Sequence, residues 1–226
     1  MKKIPIYTEV CYVLGILLPA LSGAMMIKAD FGLSMIVAPA YVLHCKLSQY
    51  HSFFTFGACS YLFEAALLLL MVLILRRFKL SYLFSFVTAV LVGLALDGCG
   101  LLLQNVPADT LLLRLLFFAG SIAVCSLGIA FIWHTYIPPE VYELFVKEVS
   151  HGLDLDIGKV KTVYDYSSLA LSLLLSFLFF HALVGIGWGT VACTLLNGVS
   201  IAFISKWMDK HLVLKDALPF RRLFQK

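Results

Sequence analysis

The stretch from Leu80 to Leu103, LSYLFSFVTAVLVGLALDGCGLLL, decides the fold class of this chain. Its only charged side chain is Asp97, and it exceeds the roughly 20 residues that a helix needs to cross the hydrocarbon core of a bilayer. Its apolar residues follow one another without the alternation of a barrel strand. Because a span in lipid must satisfy its backbone polar groups internally, the stretch is predicted to be a transmembrane helix.

Five further stretches have the same character and flank the first on both sides. They are Val10 to Ile27, Ser52 to Leu75, Thr110 to Trp133, Thr162 to Val184 and Gly185 to Ile204. Hydrophobic residues make up 62% of the chain and charged residues 13%, against roughly 45–50% and about 25% in an average soluble domain. The sequence therefore predicts an all-α polytopic membrane protein with six transmembrane helices.

The distribution of Lys and Arg predicts the orientation of these spans. With the N-terminus in the cytoplasm, every Lys and Arg except Lys28, Lys46 and Arg114 falls in or beside an inner segment, as the positive-inside rule requires. Both termini are therefore expected in the cytoplasm. The net charge of +4 is accounted for by this topology and by anionic lipid headgroups, so no nucleic-acid partner is expected.

The chain can be divided near residue 108 into two halves that hold three spans each. Equivalent positions in the two halves are Gly57 and Gly158, Glu64 and Asp165, and Gly93 and Gly198. An odd number of spans per half places the halves in opposite orientations across the membrane. We predict a first repeat over residues 1–108, an inverted second repeat over 109–208 and a basic cytoplasmic tail over 209–226.

Each half also contains an apolar segment that is too short to span the membrane. These segments, residues 34–46 and 139–150, lie between the first and second spans of their halves. Ser34 and the pair Pro138-Pro139 are typical helix starts. Segments of this length suit either a re-entrant helix or a helix that lies at the headgroups, and the sequence leaves both alternatives open.

Three carboxyl side chains, Glu64, Asp97 and Asp165, fall inside predicted spans. A charged group at the bilayer centre costs roughly 2.5–3.5 kcal/mol on insertion scales, so it is expected to face protein or water. An inverted repeat would bring Glu64 and Asp165 together at mid-membrane, where transporters of this construction bind substrate. All three acids are candidates for binding a substrate or a proton. The alternative for each is a structural hydrogen bond between helices.

Tyrosines accompany two of these acids. Tyr164 and Tyr166 flank the acid of the second half, and Tyr61 lies one helical turn before the acid of the first half. With Asn197 in the sixth span, they are the polar candidates for a substrate cavity. Tyr is also a common anchor at membrane interfaces, which is the alternative reading of each phenol.

The string Lys28-Ala-Asp-Phe-Gly-Leu-Ser34 is followed by Val42-Leu-His44, Gly93-Leu-Ala-Leu-Asp97 and Gly185-Ile-Gly-Trp-Gly-Thr190. Over about residues 12–208 these strings resemble the YczE/YyaS/YitT family of bacterial integral membrane proteins. The resemblance implies a six-span protein of the bacterial cytoplasmic membrane, and it makes Glu143 a candidate gate or site residue because the family carries an acid there. Glu140 and Glu148 on the same segment are expected to be solvated. The chain departs from the family pattern at Tyr41, where an acid is expected.

No catalytic signature indicates an enzyme. The chain lacks HExxH, GxSxG, a P-loop and a dinucleotide fingerprint, so neither a zinc peptidase nor a nucleotide-driven pump is expected. Five of the six cysteines lie in apolar spans, and the adjacent His44 and Cys45 are expected to pack in a loop rather than bind metal. We therefore expect no cofactor and no metal.

These features predict a transporter of a small organic solute, coupled to a proton or ion gradient and working by alternating access at the interface between the repeats. The acids favour a cationic or amine-bearing solute, and the tyrosines favour an aromatic or amphipathic one. The alternative is a non-transporting membrane subunit, either the substrate-binding component or a regulator of a larger complex, that contacts its partner through residues 206–226. The expected partners are the lipid bilayer and a small molecule, and a homodimer that buries the polar faces is left open.

Overall fold

A computed structural model describes residues 4–217 of the chain, and within that range it contains eight helices and two short strands. The elements are β1 (Ile4–Tyr7), α1 (Thr8–Ala29), α2 (Ala38–Leu47), α3 (Phe56–Leu75), α4 (Leu80–Leu103), α5 (Leu111–Trp133), α6 (Val141–Leu153), α7 (Ile157–Phe180), α8 (Trp188–His211) and β2 (Leu212–Lys215). All but α2 and α6 of these helices are long and apolar enough to cross a membrane. The predicted class, an all-α polytopic membrane protein, is confirmed.

Several helix starts differ from the sequence-based boundaries: α1 begins at Thr8 and α3 at Phe56, where Val10 and Ser52 were expected, and the starts of α7 and α8 differ as well. α7 begins at Ile157, ahead of the expected Thr162, because the Asp156 side chain accepts a hydrogen bond from the backbone N–H of Lys159 and caps the helix there. α8 begins after the expected Gly185, because that glycine has a φ of 69°. Such a left-handed conformation forms a turn and does not start a helix.

The two central helices, α1 and α5, are equivalent in the two halves and pack against each other along their lengths. Gly128 of α5 lies against Leu18 and Pro19 of α1, and Gly15 of α1 lies against Ile132 of α5. Small residues at these crossings let the two backbones approach closely. α4 packs on α1 and α8 packs on α5, so the same relation holds in both halves.

The short helices cross between the halves. α2 packs on α7, and α6 packs on α3. The order long, short, long, long therefore occurs twice along the chain, with the short helix of each half seated on the second long helix of the other. This exchanged packing supports the pseudo-two-fold relation, while the division of the chain at residue 108 stays a prediction.

The helix α6 enters the membrane region from one side and does not cross it. At its start, the backbone N–H of Val141 donates to Glu64 Oε2 (3.0 Å), near the middle of α3. Just ahead of α6, the carbonyl of Pro138 accepts from Thr88 Oγ1 (3.0 Å), well inside α4. Towards its end, Glu148 reaches Lys79, the residue before α4. α6 is therefore re-entrant, which decides between the two alternatives for residues 139–150.

The helix α2 has the opposite direction. The residues that lead into it, Ser34 to Val37, line the same central cavity as Glu140, the N-cap of α6. Near its end, His44 Nδ1 donates to the carbonyl of Phe54 (2.7 Å), which lies just ahead of α3. Because α3 starts on one side of the membrane region and ends on the other, α2 and α6 enter from opposite sides and begin close to the centre.

Two backbone hydrogen bonds join the loop that follows α1 to the residues around the start of α8. The N–H of Leu33 donates to the carbonyl of Gly185 (2.9 Å), and the N–H of Gly189 donates to the carbonyl of Phe31 (2.9 Å). We call these two bonds the loop clasp. The clasp closes the side of the molecule from which α2 enters.

The strands β1 and β2 pair in parallel, with Ile4 opposite Leu212 and Tyr7 opposite Lys215. This pairing places the start of α1 and the end of α8 on one side, as six crossings require. Of the predicted basic tail, residues 218–226 lie outside the described part of the chain, and residues 209–211 still belong to α8.

A basic cluster at the turn between α3 and α4 holds the end of α6. Glu148 accepts hydrogen bonds from Lys79 Nζ (2.8 Å), Tyr82 OH (2.6 Å) and Arg77 Nη2 (3.3 Å), and its side chain is 14% exposed. The expectation that Glu148 is solvated was wrong, because sequence distance hides this cluster. Burial alone would raise the pKa of Glu148, but the bonds from Lys79 and Tyr82 and the charges of Lys79 and Arg77 hold it below the ordinary value.

Replacing Glu148 by Gln is expected to lower the free energy of unfolding by about 1–2 kcal/mol at pH 7, since charged hydrogen bonds are lost. A carboxyl whose pKa is lowered in the folded protein stabilises fully above its unfolded pKa, about 4.3, and loses this contribution as the pH falls through the folded value. The difference between Glu148→Gln and the native protein should therefore shrink in acid. Thermal unfolding at pH 7 and pH 4 measures it, with the exposed loop variant Asp109→Asn as control. A difference that does not depend on pH would contradict the ionic account.

Candidate functional site

A cavity of about 210 Å³ lies between the two halves, where the two re-entrant helices begin. Residues of all eight helices line it, together with the residues leading into α2. The side chains in its wall that carry a hydroxyl, amide, indole or charged group are Ser22, Ser34, Ser60, Glu64, Trp133, Glu140, Tyr142, Glu143, Lys161, Tyr164, Asp165, Thr194 and Asn197. The cavity therefore combines a largely apolar wall with four carboxyl groups and one ammonium group.

Three of the carboxyl groups gather at the start of α6. Glu64 accepts from the backbone N–H of Val141 (3.0 Å), and Glu143 accepts from Trp133 Nε1 (3.0 Å) and Tyr142 OH (3.0 Å). Glu140 occupies the N-cap position, where its side chain makes no capping bond. The positive end of the α6 dipole favours negative charge here. We call Glu64, Glu140 and Glu143 the carboxyl cluster.

The two members of the cluster outside the long helices bind protons more tightly than ordinary carboxyls. Burial, and then the charges of Glu64 and Glu143, raise the pKa of Glu140 well above its usual range. Burial also raises the pKa of Glu143, although bonds from Trp133 and Tyr142 and the charge of Lys161 act in the opposite direction. Like charges that share a desolvated site cannot all ionise, so the cluster holds protons that a cation could displace.

Asp165 lines the same cavity from α7, but it does not pair with Glu64. Its carboxylate forms an ion pair with Lys161 Nζ (3.1 Å) one turn earlier on the same helix, and its side chain is 18% exposed. The predicted direct partnership of Glu64 and Asp165 is corrected here, because α6 inserts its N-terminus beside Glu64. Glu64 and Asp165 nevertheless line the same cavity.

Asp97 lies outside the cavity and has a structural role. Its carboxylate accepts from Thr55 Oγ1 (2.6 Å) and from the backbone N–H of Gly57 (2.8 Å), while Thr55 itself caps the N-terminus of α3. Asp97 thus fastens the start of α3 to α4. The geometry favours a structural hydrogen bond between helices, which was the alternative to ligand binding for Asp97, because both carboxylate oxygens already accept hydrogen bonds.

The tyrosines divide between the cavity and other surfaces. Tyr164 is buried and lines the cavity, with its ring centroid 6.1 Å from that of Tyr142. Tyr166 is 66% exposed, because residues two apart on a helix point in nearly opposite directions. Tyr61 packs beside Gly93 of α4 and does not line the cavity. Tyr61 and Tyr166 therefore lie outside this cavity, and a binding role for either stays a prediction.

Asn197 lines the cavity from α8, as predicted. Its Oδ1 atom is buried and accepts no hydrogen bond within residues 4–217. A buried amide oxygen without a partner costs free energy, so it is suited to a ligand that supplies a donor.

The wall residues that sequence reasoning missed include Trp133, Glu140, Tyr142 and Lys161. Glu140 carried a usable signal, because it follows Pro138-Pro139 at a helix start, where an acidic side chain is favoured by the helix dipole. The other three reach the cavity wall because the chain folds back into the membrane region at α6, and no local sequence pattern predicts this.

The two equivalent pairs of outer helices differ in their packing. α3 lies along α4, where the backbones of Gly57 and Gly93 meet; a Cβ on Gly93 would lie 2.8 Å from the carbonyl oxygen of Gly57. The equivalent α7 and α8 have almost no contact in the described chain. A Cβ on Gly198 would meet no atom within 4 Å. All four of these helices, α3, α4, α7 and α8, line the central cavity.

Within residues 4–217, no three His, Cys, Asp or Glu side chains are grouped so as to hold a metal ion. His44, half of the His-Cys pair singled out in the sequence, is bonded to the carbonyl of Phe54.

Comparison with known proteins shows the family of the chain. No curated protein and no solved structure matches it. The resemblance to the YczE/YyaS/YitT family stays a prediction, since no match ties the chain to that family. One family model matches residues 6–206, which is most of the chain and includes nearly all of the six long helices. The chain therefore belongs to DUF6198, a family of unknown function.

Proposed function

We propose that the protein transports a small organic solute across the bacterial cytoplasmic membrane by alternating access, in exchange for protons. The solute binds in the central cavity between the two halves. The carboxyl cluster favours a solute that carries an amine or another cationic group, because positive charge offsets the mutual repulsion of the acids.

The observation that carries this proposal is the difference between the two equivalent helix pairs. α3 is closed on α4, whereas α7 stands away from α8, and all four helices line the central cavity. A transporter made of two equivalent halves needs those halves to be in different arrangements in each of its end states. In the opposite state, α7 would close on α8 at Gly158 and Gly198, and α3 would part from α4.

The proposed coupling follows from the shared binding site. A cation that enters the cluster favours the ionised forms of Glu64, Glu140 and Glu143, so protons leave as it binds. Protons and solute then compete for the same oxygens, which is the requirement for exchange of one against the other. This arrangement draws its energy from a proton gradient.

For the orientation, we propose that both ends of the chain lie in the cytoplasm. Arg77, Lys79 and Lys161 lie on the side from which α6 enters, and the paired strands β1 and β2 lie at the start of α1 and the end of α8. Positive residues are enriched on the cytoplasmic side of membrane proteins. The loop clasp would then face the exterior.

The test is a flux assay in proteoliposomes that contain a pH-sensitive dye. Primary, tertiary and quaternary ammonium compounds are added outside vesicles with an acidic interior, and proton efflux is recorded. We expect efflux with the native protein, little or none with Glu64→Gln, and native efflux with Asp109→Asn, an exposed carboxyl in the loop between α4 and α5.

If no ammonium compound drives proton movement or accumulates, the transport proposal falls. The rival, a non-transporting subunit that uses residues 206–226 to contact a larger complex, would then take its place. Of that stretch, residues 218–226 lie outside the described part of the chain.

A further inference from the structure

A second and larger cavity adjoins the central one. It has a volume of about 490 Å³ and lies between α3 and α7, over the outer face of α6. Its wall is formed mostly by apolar side chains, among them Leu67, Leu70, Phe145, Val149 and Leu171. We call it the apolar cavity.

The two cavities share part of their walls. Phe63 of α3 and Tyr164 of α7 line both of them, so these two rings lie at the boundary between the cavities. Glu64 follows Phe63 directly, and Asp165 follows Tyr164. An apolar space and an acidic space therefore meet at one pair of aromatic side chains.

The apolar cavity also holds an unused polar group. Ser168 lies in its wall with 5% of its surface exposed, and its Oγ atom has no hydrogen-bond partner within residues 4–217. The central cavity likewise contains Asn197 Oδ1. Each of the two cavities thus has a buried polar atom in its wall that forms no hydrogen bond within the described part of the chain. Pockets with mainly apolar walls and a few placed polar groups are typical of ligand sites.

We infer that the transported solute is an amphiphilic amine, with its ammonium group among Glu64, Glu140 and Glu143 and its hydrocarbon tail between Phe63 and Tyr164 in the apolar cavity. This inference rests on the proposed function and gives its substrate a chemical class. The charge of the cluster selects a cationic head. The apolar cavity favours a solute with a hydrocarbon tail over a small hydrophilic amine, which has none.

The packing of α6 on both α3 and α7 explains why both parts of the ligand would be held together. α3 and α7 are the equivalent helices that bear Glu64 and Asp165, and α6 supplies Glu140 and Glu143 at its start and Phe145 and Val149 farther along. One short helix therefore lies against both head and tail. A ligand that fills both spaces contacts each half of the chain.

The test measures binding of an alkyltrimethylammonium series, from tetramethylammonium to the decyl compound, to the purified full-length protein in a non-ionic detergent. Burial of each methylene is expected to raise the affinity by up to about fourfold. Affinities are compared between variants at equal detergent, so that partition of the compounds into micelles cancels.

Ala66→Trp narrows the apolar cavity, since Ala66 lines it and does not line the central one. We expect this variant to bind the decyl compound at least tenfold more weakly than the native protein and to bind tetramethylammonium unchanged. Val199→Trp, on an exposed face of α8 away from both cavities, is the matched control and should bind both as the native protein does. Val163→Trp, on the α7 wall, repeats the test should Ala66→Trp fail to fold.

Two results would overturn the inference. One is that the binding affinity rises with alkyl chain length equally in Ala66→Trp and in Val199→Trp. The other is decyl sulfate binding as tightly as the decyl ammonium compound, since the cavity would then accept any hydrocarbon tail, including that of a membrane lipid. If the ammonium series binds as expected but is not transported, the ligand class stands and the proposed transport falls.

Discussion

Gly57→Ala is expected to destabilise the protein, whereas Gly198→Ala at the equivalent position of the other outer pair is expected to fold normally and to stop transport. In the first variant, the added methyl group collides with the carbonyl of Gly93 and lies 2.6 Å from Asp97 Oδ2. Forcing a side chain into a closed contact costs about 1–3 kcal/mol. In the second variant, the methyl group points into open space, so the free energy of unfolding should not fall, and the preference of a helix for Ala over Gly raises it by at most about 1 kcal/mol.

The two variants differ because the two helix pairs are in different arrangements. If α7 and α8 close in the opposite state as α3 and α4 do here, Ala at position 198 would obstruct that closure. Transport by Gly198→Ala should then fall at least tenfold with no fall in unfolding temperature. Thermal unfolding of both purified variants and proton-coupled flux in vesicles measure the two effects. Native flux in Gly198→Ala would rule out an exchange of arrangements between the halves.

The second large effect concerns Glu140, whose pKa is raised well above its usual range by burial and by the charges of Glu64 and Glu143. Its surroundings contain titratable groups from several elements, namely Glu64, Glu143, Tyr12, Tyr142, Tyr164 and Cys125. When a cation displaces one proton, the apparent dissociation constant should rise about tenfold for each pH unit of acidification below the relevant pKa. In Glu140→Gln, no proton can leave this position, so that slope should become much shallower.

The same substitution has an effect on stability with a defined sign. Because the pKa of Glu140 is raised in the folded protein, unfolding releases a proton between the unfolded pKa, about 4.3, and the folded one. The free energy of unfolding of the native protein therefore falls as the pH rises through that interval. In Glu140→Gln it should fall by less over the same interval. Unfolding temperatures of the native protein and the variant from pH 4 to pH 8 measure the difference. Parallel curves for the two proteins would contradict a raised pKa of Glu140 in the folded state.

Hydropathy predicted the spans because partition into lipid depends on the composition of a window and little on its neighbours. α4 matches its predicted bounds for this reason. The start of α7 was missed because Gly158, Lys159 and Lys161 lower the local hydropathy, although Asp156 caps a helix there. Hydropathy thus reports the apolar part of a helix, and the cap reports where the helix begins.

The candidate site was predicted in part. Glu64, Asp165, Tyr164 and Glu143 line the cavity, and so does Asn197. Asp97 does not, because an acid inside a span can find its donors at the N-terminus of a neighbouring helix as readily as in a ligand. Charge within an apolar window indicates that a partner exists, and only the packing of the helices identifies that partner.

The loop clasp consists of main-chain atoms alone, through Leu33 with Gly185 and Gly189 with Phe31. A hydrogen bond contributes a net of about 0.5–1.5 kcal/mol, so these two bonds together contribute about 2 kcal/mol. On their own they would leave the clasp broken in a few per cent of molecules at any moment. Opening this side would also separate the ring of Phe31 from those of Trp188 (4.9 Å between centroids) and Phe118 (5.8 Å), so the open form is rarer still. A solute that arrives from this side would then select a scarce conformer, and its binding would be slowed by that scarcity.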